Sequence, residues 1–148
     1  MEKSFVMIKP DGVQRGLVGE IIGRLERCGL KLHALRLLQI DRQLAAEHYR
    51  QHEGKAFYEP LLSYITSGPV VAMVWGGPRA VALVRKLTGA TDPQKAEPGT
   101  IRGDLALDIG KNIIHASDSV EAAEREISLF FNKDEVLEHD RAVDPWVY

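Results

Sequence analysis

The sequence predicts an α+β fold, a ferredoxin-like βαββαβ sandwich in which helices pack on one face of an antiparallel four-stranded sheet. Three observations lead there. Apolar runs short enough for strands recur along the chain, amphipathic helical stretches separate them, and Gly/Pro clusters punctuate the junctions.

Residues 5–8 form an unbroken apolar run stopped by Pro10-Asp11-Gly12, which reads as a buried strand ending in a turn and leaves Lys9 at its exit. Leu17, Ile21, Ile22 and Leu25 recur at helical spacing before Gly29, a C-terminal stop, so residues 17–27 read as an amphipathic helix covering the sheet. Residues 31–40 suit helix or strand by propensity, and their place between that glycine and the capping Asp41 favours a strand. Short helices are expected over residues 41–49 and 60–66, with Ser67-Gly68-Pro69 ahead of the best strand, the β-branched stretch 70–75. Gly76-Gly77-Pro78 opens a helix with a buried stripe of Val81, Val84 and Leu87, a stop at Gly89, and Arg85 beside the stripe. Pro93, Pro98, Gly99 and Gly103 make residues 91–105 a long ordered loop without regular structure, a kind of segment that is usually functional. Residues 112–116 read as the last strand. Asp118 with Glu121 resembles the capping pair of a final helix whose core face is Val120, Ala123, Ile127 and Phe130, with Glu126 on its flank.

A chain of 148 residues with 45% hydrophobic and 27% charged content predicts a single domain over residues 1–148, with no tract poor enough in apolar residues to stay disordered. The net charge of −2 argues against nucleic acid as the main partner and against a membrane-surface role. Cys28 stands alone, which excludes an intramolecular disulfide. The N-terminal apolar run is too short for a signal-peptide core or a membrane span, so a cytoplasmic location is expected.

No GxxxxGK[ST] or GxGxxG phosphate cradle occurs, so any bound phosphate must be held by side chains. The histidines are scattered. His48 and His52 have helical ligand spacing but no third ligand nearby, and read as solvated helix surface. Three segments are hard to explain as packing alone: IKPDGVQRG at 8–16, PGTIRGD at 98–104 and NIIHASDS at 112–119. A phosphoryl carrier has to be uncharged near neutral pH yet nucleophilic, and the imidazole of His115 meets both conditions if a second group fixes the ring. Glu126, with Ser117 between, is placed to do so, though which ring nitrogen it engages stays open.

The three segments resemble those of the nucleoside diphosphate kinase family, and the similarity runs from Met1 to the terminal Pro145-Trp146-Val147-Tyr148. NIIHASDS is the most specific of them, because a strand ending in histidine followed by a polar cap is that family's active-site signature. The resemblance implies ping-pong transfer of the γ-phosphate of a nucleoside triphosphate, typically ATP, to a nucleoside diphosphate through phosphorylation of His115 at Nδ1, with Glu126, Ser117 and Tyr49 around it. It also implies that Arg85, Thr91 and Arg102 bind phosphate, that Lys9 and Asn112 hold the ribose hydroxyls, and that Phe57 stacks on the base. Mg²⁺ should arrive on the nucleotide phosphates, with Asp118 either reaching it through water or serving only as a helix cap. The family forms homo-oligomers, and the long C-terminal tail fits a hexamer better than a tetramer. Ala116 stands where glycine is common, Gly76 where glutamate is frequent and Lys111 where arginine is usual. The competing expectation is a nucleotide sensor without catalysis, which the intact set Lys9, Arg85, Arg102, Asn112 and His115 opposes.

Overall fold

All four expected strands pair into one sheet. The computed structural model describes residues 1–148, in the order β1 (Glu2–Ile8), α1 (Pro10–Gln14), α2 (Val18–Arg27), β2 (Lys31–Leu38), α3 (Arg42–His48), α4 (Tyr58–Ile65), β3 (Val70–Gly77), α5 (Ala80–Thr88), α6 (Ile101–Leu105), β4 (Ile114–Ala116) and α7 (Val120–Phe130). The strand order is β2-β3-β1-β4 with every neighbour antiparallel, the arrangement expected of a ferredoxin-like α+β sandwich.

The helices cover both faces of the sheet, not one. Val6 and Ile8 of β1 point into a cluster with Ile21 and Leu25 of α2 and Val84 of α5, while Phe5 and Met7 point the other way, toward Ala45, Leu62, Ile65 and Phe130 of α3, α4 and α7. The physical reason lies in β1 and β3 themselves. Their apolar residues do not alternate with polar ones, and every residue of β3 is buried, so each face needs a cover.

Three local expectations change. The segment 91–105 ends in α6, where the Thr100 hydroxyl accepts from the Gly103 amide at 3.0 Å, a cap that its glycines and prolines concealed. Gly103 is there because a Cβ would come within 2.0 Å of the Glu97 carbonyl oxygen. α7 is capped by Ser119, which accepts from Ala122 N at 3.0 Å, so Asp118 lies outside the cap. Pro10-Asp11-Gly12 is the first turn of α1, with proline where a helix tolerates it best. Elsewhere Asp41 caps α3 as expected, accepting from Leu44 N at 2.8 Å. Gly76 makes room for the His33 ring, since a Cβ on it would lie 2.4 Å from Nε2. No helix is long and apolar enough to cross a membrane.

Candidate active site

β4 enters the sheet beside β1 and delivers His115, while α7 packs over β1 and delivers Glu126. His115 Nε2 lies 3.0 Å from Glu126 Oε1, which fixes the nitrogen the sequence left open. With its proton on Nε2, the ring presents Nδ1 as the free lone pair. Ser117 is fully buried; its hydroxyl donates to the same carboxylate oxygen at 2.6 Å and accepts from Phe5 N at 3.2 Å, tying the pair to β1. Burial alone would raise the Glu126 carboxyl. Hydrogen bonds from His115 and Ser117, with the charge of Arg125, outweigh it and hold the group below the usual carboxylate range. Glu126 is 3% exposed, so its place on the helix flank faces the protein and not solvent.

Around this pair stand the cations. Arg102 is buried, and its three guanidinium nitrogens donate to Asn112 O at 3.3 Å, Gly89 O at 3.2 Å and Ile114 O at 2.5 Å. Arg85 donates to Ala116 O at 3.3 Å. The two arginines thus grip the carbonyls on either side of His115. Burial, then the charge of Arg85, brings Arg102 down to about 10. Lys9 donates to Asn112 Oδ1 at 2.8 Å, and Asn112 in turn donates to Thr91 O at 3.0 Å. Burial, followed by the charge of Arg102, lowers the Lys9 ammonium to about 8.

The backbone at Asn112-Ile113 is strained. Ile113 has φ of 61°, rare for a β-branched residue, and Ala116 does not, so the alanine after the histidine carries no conformational cost. Asp11 holds the turn by accepting from Ile113 N at 3.1 Å, and the Tyr64 hydroxyl donates to its other oxygen.

The cations, His115 and Glu126 face one cleft of about 710 Å³, a volume suited to a nucleotide. Of the eleven residues singled out above, Lys9, Tyr49, Phe57, Arg85, Thr91, Arg102, Asn112, His115, Asp118 and Glu126 line it, and Ser117 supports it from behind. Phe57 is 49% exposed at the cleft edge with Lys55 Nζ 5.6 Å from its ring centre, and Ile109 is another exposed apolar lining residue. Asp118 is the only lining carboxylate besides Glu126, and it is exposed. One exposed carboxylate does not make a protein cage for a divalent cation.

His48 corrects the sequence reading. It is 2% exposed and meets the His115 ring edge-on, with centroids 4.8 Å apart and planes at 80°. Burial, then the charge of His115, pushes it well below ordinary histidine basicity. The signal was present: His48 follows Leu44 and Ala45 at helical spacing on the inner face of α3. Tyr64 and Asp11 were missed as well, since a turn reading of Pro10-Asp11-Gly12 gives the aspartate no distant partner.

Cationic side chains surround an imidazole whose orientation is set by a buried carboxylate, and no glycine-rich cradle takes part. This marks the class as an enzyme of phosphoryl transfer in which side chains alone manage the charge. Residues 2–136 match the family described as Nucleoside diphosphate kinase. Relatives of that name from Archaeoglobus fulgidus and Carboxydothermus hydrogenoformans are 60% and 58% identical over 148 residues, covering 100% of this chain and 98% and 99% of theirs. Among solved structures, a halophilic nucleoside diphosphate kinase from Halobacterium salinarum in complex with CDP superposes with a TM-score of 0.97 at 56% identity, covering 99% of this chain and 98% of that one. A nucleoside diphosphate kinase family protein from Babesia bovis gives 0.97 at 44% identity with full coverage of both. The chain belongs to the nucleoside diphosphate kinase family. It is an enzyme, a phosphotransferase.

Proposed function

We propose that this enzyme exchanges the γ-phosphate between nucleoside tri- and diphosphates by a ping-pong route through Nδ1 of His115. The observation that carries the reading is the 3.0 Å contact between His115 Nε2 and Glu126, which leaves Nδ1 as the nitrogen free to react. Nδ1 attacks the γ-phosphorus, the bond to the β-phosphate oxygen breaks, and the diphosphate leaves with that oxygen. A second diphosphate then attacks the phosphohistidine through its terminal oxygen, the P–N bond breaks, and the neutral imidazole returns. Glu126 supports the Nε2 proton while the ring carries positive character, and Ser117 keeps the carboxylate in place. Arg85, Arg102 and Thr91 meet the charge spread over the transferring oxygens. Mg²⁺ bound to the phosphates neutralises further charge when present, and Asp118 is the residue placed to reach it through water.

In this reading Lys9 and Asn112, joined at 2.8 Å, take the ribose hydroxyls, and Phe57 at the cleft edge stacks on the base. Stacking accepts any base, which favours broad nucleotide use. Tyr49, buried in the cleft wall beside His48, shapes the space next to the nucleophile. Residues 1–148 act as one domain, since both cores share one sheet. A cytoplasmic homo-oligomer is part of the same proposal, a hexamer in preference to a tetramer. The exposed Leu35 and Leu37 of edge strand β2 and the exposed Trp146 support subunit contacts, which sedimentation would measure.

Incubation with γ-labelled ATP and no acceptor should give an acid-labile protein phosphate that chases to any added diphosphate. His115→Ala should carry none. Label retained by that variant would mean that another residue is the nucleophile, whereas nucleotide binding without exchange in the wild type would favour the sensor reading.

A further inference from the structure

Two imidazoles and a carboxylate meet at the foot of the cleft, and the phosphoryl chemistry uses only one of the imidazoles. His48, His115 and Glu126 each bring a possible ligand atom within 4.8 Å of the others. Both ring nitrogens of His48 are buried without a hydrogen-bond partner, a condition native structures seldom tolerate without a reason.

We propose that His48, His115 and Glu126 form an inhibitory site for Zn²⁺ or a like borderline-soft divalent cation, separate from the Mg²⁺ carried by nucleotides. Two imidazoles with one carboxylate are a zinc donor set, whereas Mg²⁺ demands an oxygen octahedron that this corner cannot supply. A tetrahedral Zn²⁺ about 2.0–2.1 Å from each ligand holds those ligands roughly 3.3 Å apart. His115 Nε2 and Glu126 Oε1 already stand 3.0 Å apart, close to that separation, so the cation bridges them at an angle once the proton has left Nε2. His48 has to close from at most 4.8 Å, and it gives up no hydrogen bond in doing so. All three residues line the cleft, so a fourth position is left for water or a phosphate oxygen. Arg125, 3.7 Å from Glu126 Oε2, works against the cation, which makes this a site that loads and empties and not a permanent structural one.

With the cation on Nε2 the Glu126 hydrogen bond is gone and the neutral ring carries its proton on Nδ1, so the lone pair that would take the phosphoryl group is blocked. That consequence rests on the exchange reading above; the binding itself does not.

Co²⁺ serves as the probe. Titrated into the purified chain free of nucleotide and Mg²⁺, it should give the visible bands of a low-coordinate histidine–carboxylate centre at one ion per chain, displaced by Zn²⁺. His48→Phe should weaken the binding at least about 100-fold, beyond the roughly 10- to 100-fold typical of losing an outer-shell partner. His139→Gln, remote from the cleft, should leave it unchanged. X-ray absorption on zinc-loaded wild type should show two imidazoles, which tests the site even where a variant fails to fold. Binding retained in a folded His48→Phe, binding lost only in His139→Gln, or a zinc shell with fewer than two imidazoles would overturn the site. Normal labelling of His115 at saturating Zn²⁺ would overturn the inhibition. Because spectra report binding and not turnover, failure of the exchange reading would leave these optical results standing.

Discussion

Ser117→Ala probes the support of the nucleophile without touching the nucleophile. The hydroxyl makes one hydrogen bond to a buried carboxylate, at 2.6 Å, and receives one from Phe5 N, at 3.2 Å. A bond to a charged group contributes ~1.5–3 kcal/mol net and a neutral one ~0.5–1.5 kcal/mol, so the substitution should cost roughly 2–4 kcal/mol. At ~2–4 °C per kcal/mol for a chain of this size, Tm should fall by about 5–15 °C in calorimetry. Glu126 then keeps only His115 and Arg125 as partners, and its carboxylate moves more freely against the ring. Rapid-quench labelling of His115 by ATP should slow by roughly 10- to 100-fold, the loss usual when a group orienting a reactive imidazole loses its own anchor. A variant with Tm within about 2 °C of wild type and an unchanged labelling rate would refute the claim that Ser117 holds the carboxylate.

Arg102→Gln should lower kcat by roughly 10²- to 10³-fold in steady-state exchange, as loss of one positioned donor does, while a drop under about threefold would show that Arg85 suffices alone. Lys9 gives a pH signature. Its folded pKa of about 8 lies below the unfolded 10.5, so the unfolded chain binds more protons between these values, and this group's contribution makes stability rise with pH across that window. Nucleotide affinity should move the opposite way. The binding-competent ammonium is lost as pH climbs past about 8, so calorimetric Kd for ADP should weaken toward ~tenfold per pH unit in wild type and stay nearly flat in Lys9→Met.

Patterning reached most of the fold because its strands are unbroken apolar runs and its helices have clear stripes. It placed the helices on one face because it used β1 only as a run of buried residues and not as two faces, each of which needs a cover. The site residues were found through segments whose spacing packing did not explain, and ten of them share one cleft. His48 escaped for a different reason. Residue type made it read as solvated although its spacing from Leu44 and Ala45 sets it on the inner face of α3, and its edge-on contact with His115 depends on the three-dimensional meeting of α3 with β4. The left-handed turn at Ile113 was equally hidden, since nothing in the side chain of isoleucine announces positive φ and its residue preference points the other way.

That turn gives the site its aim. Asn112 and Ile114 on either side of it present carbonyls to Arg102, and the next residue is His115, so relaxing Ile113 would shift three groups together. Strain of this kind costs on the order of 1–3 kcal/mol and has to be held by neighbours. Asp11 does the holding with two acceptors, one for Ile113 N and one for the Tyr64 hydroxyl. Asparagine has a single acceptor oxygen, so Asp11→Asn must turn an NH₂ toward one of two donors and should cost roughly 1–3 kcal/mol while slowing His115 labelling. Tyr64→Phe removes one of those donors. In the double variant the remaining oxygen can face Ile113 N without conflict, and the loss should fall short of the sum of the single losses by ~0.5–3 kcal/mol. Denaturant unfolding of all four proteins measures this, and losses that add to within about 0.3 kcal/mol would mean that Asp11 does not clamp the turn through both oxygens.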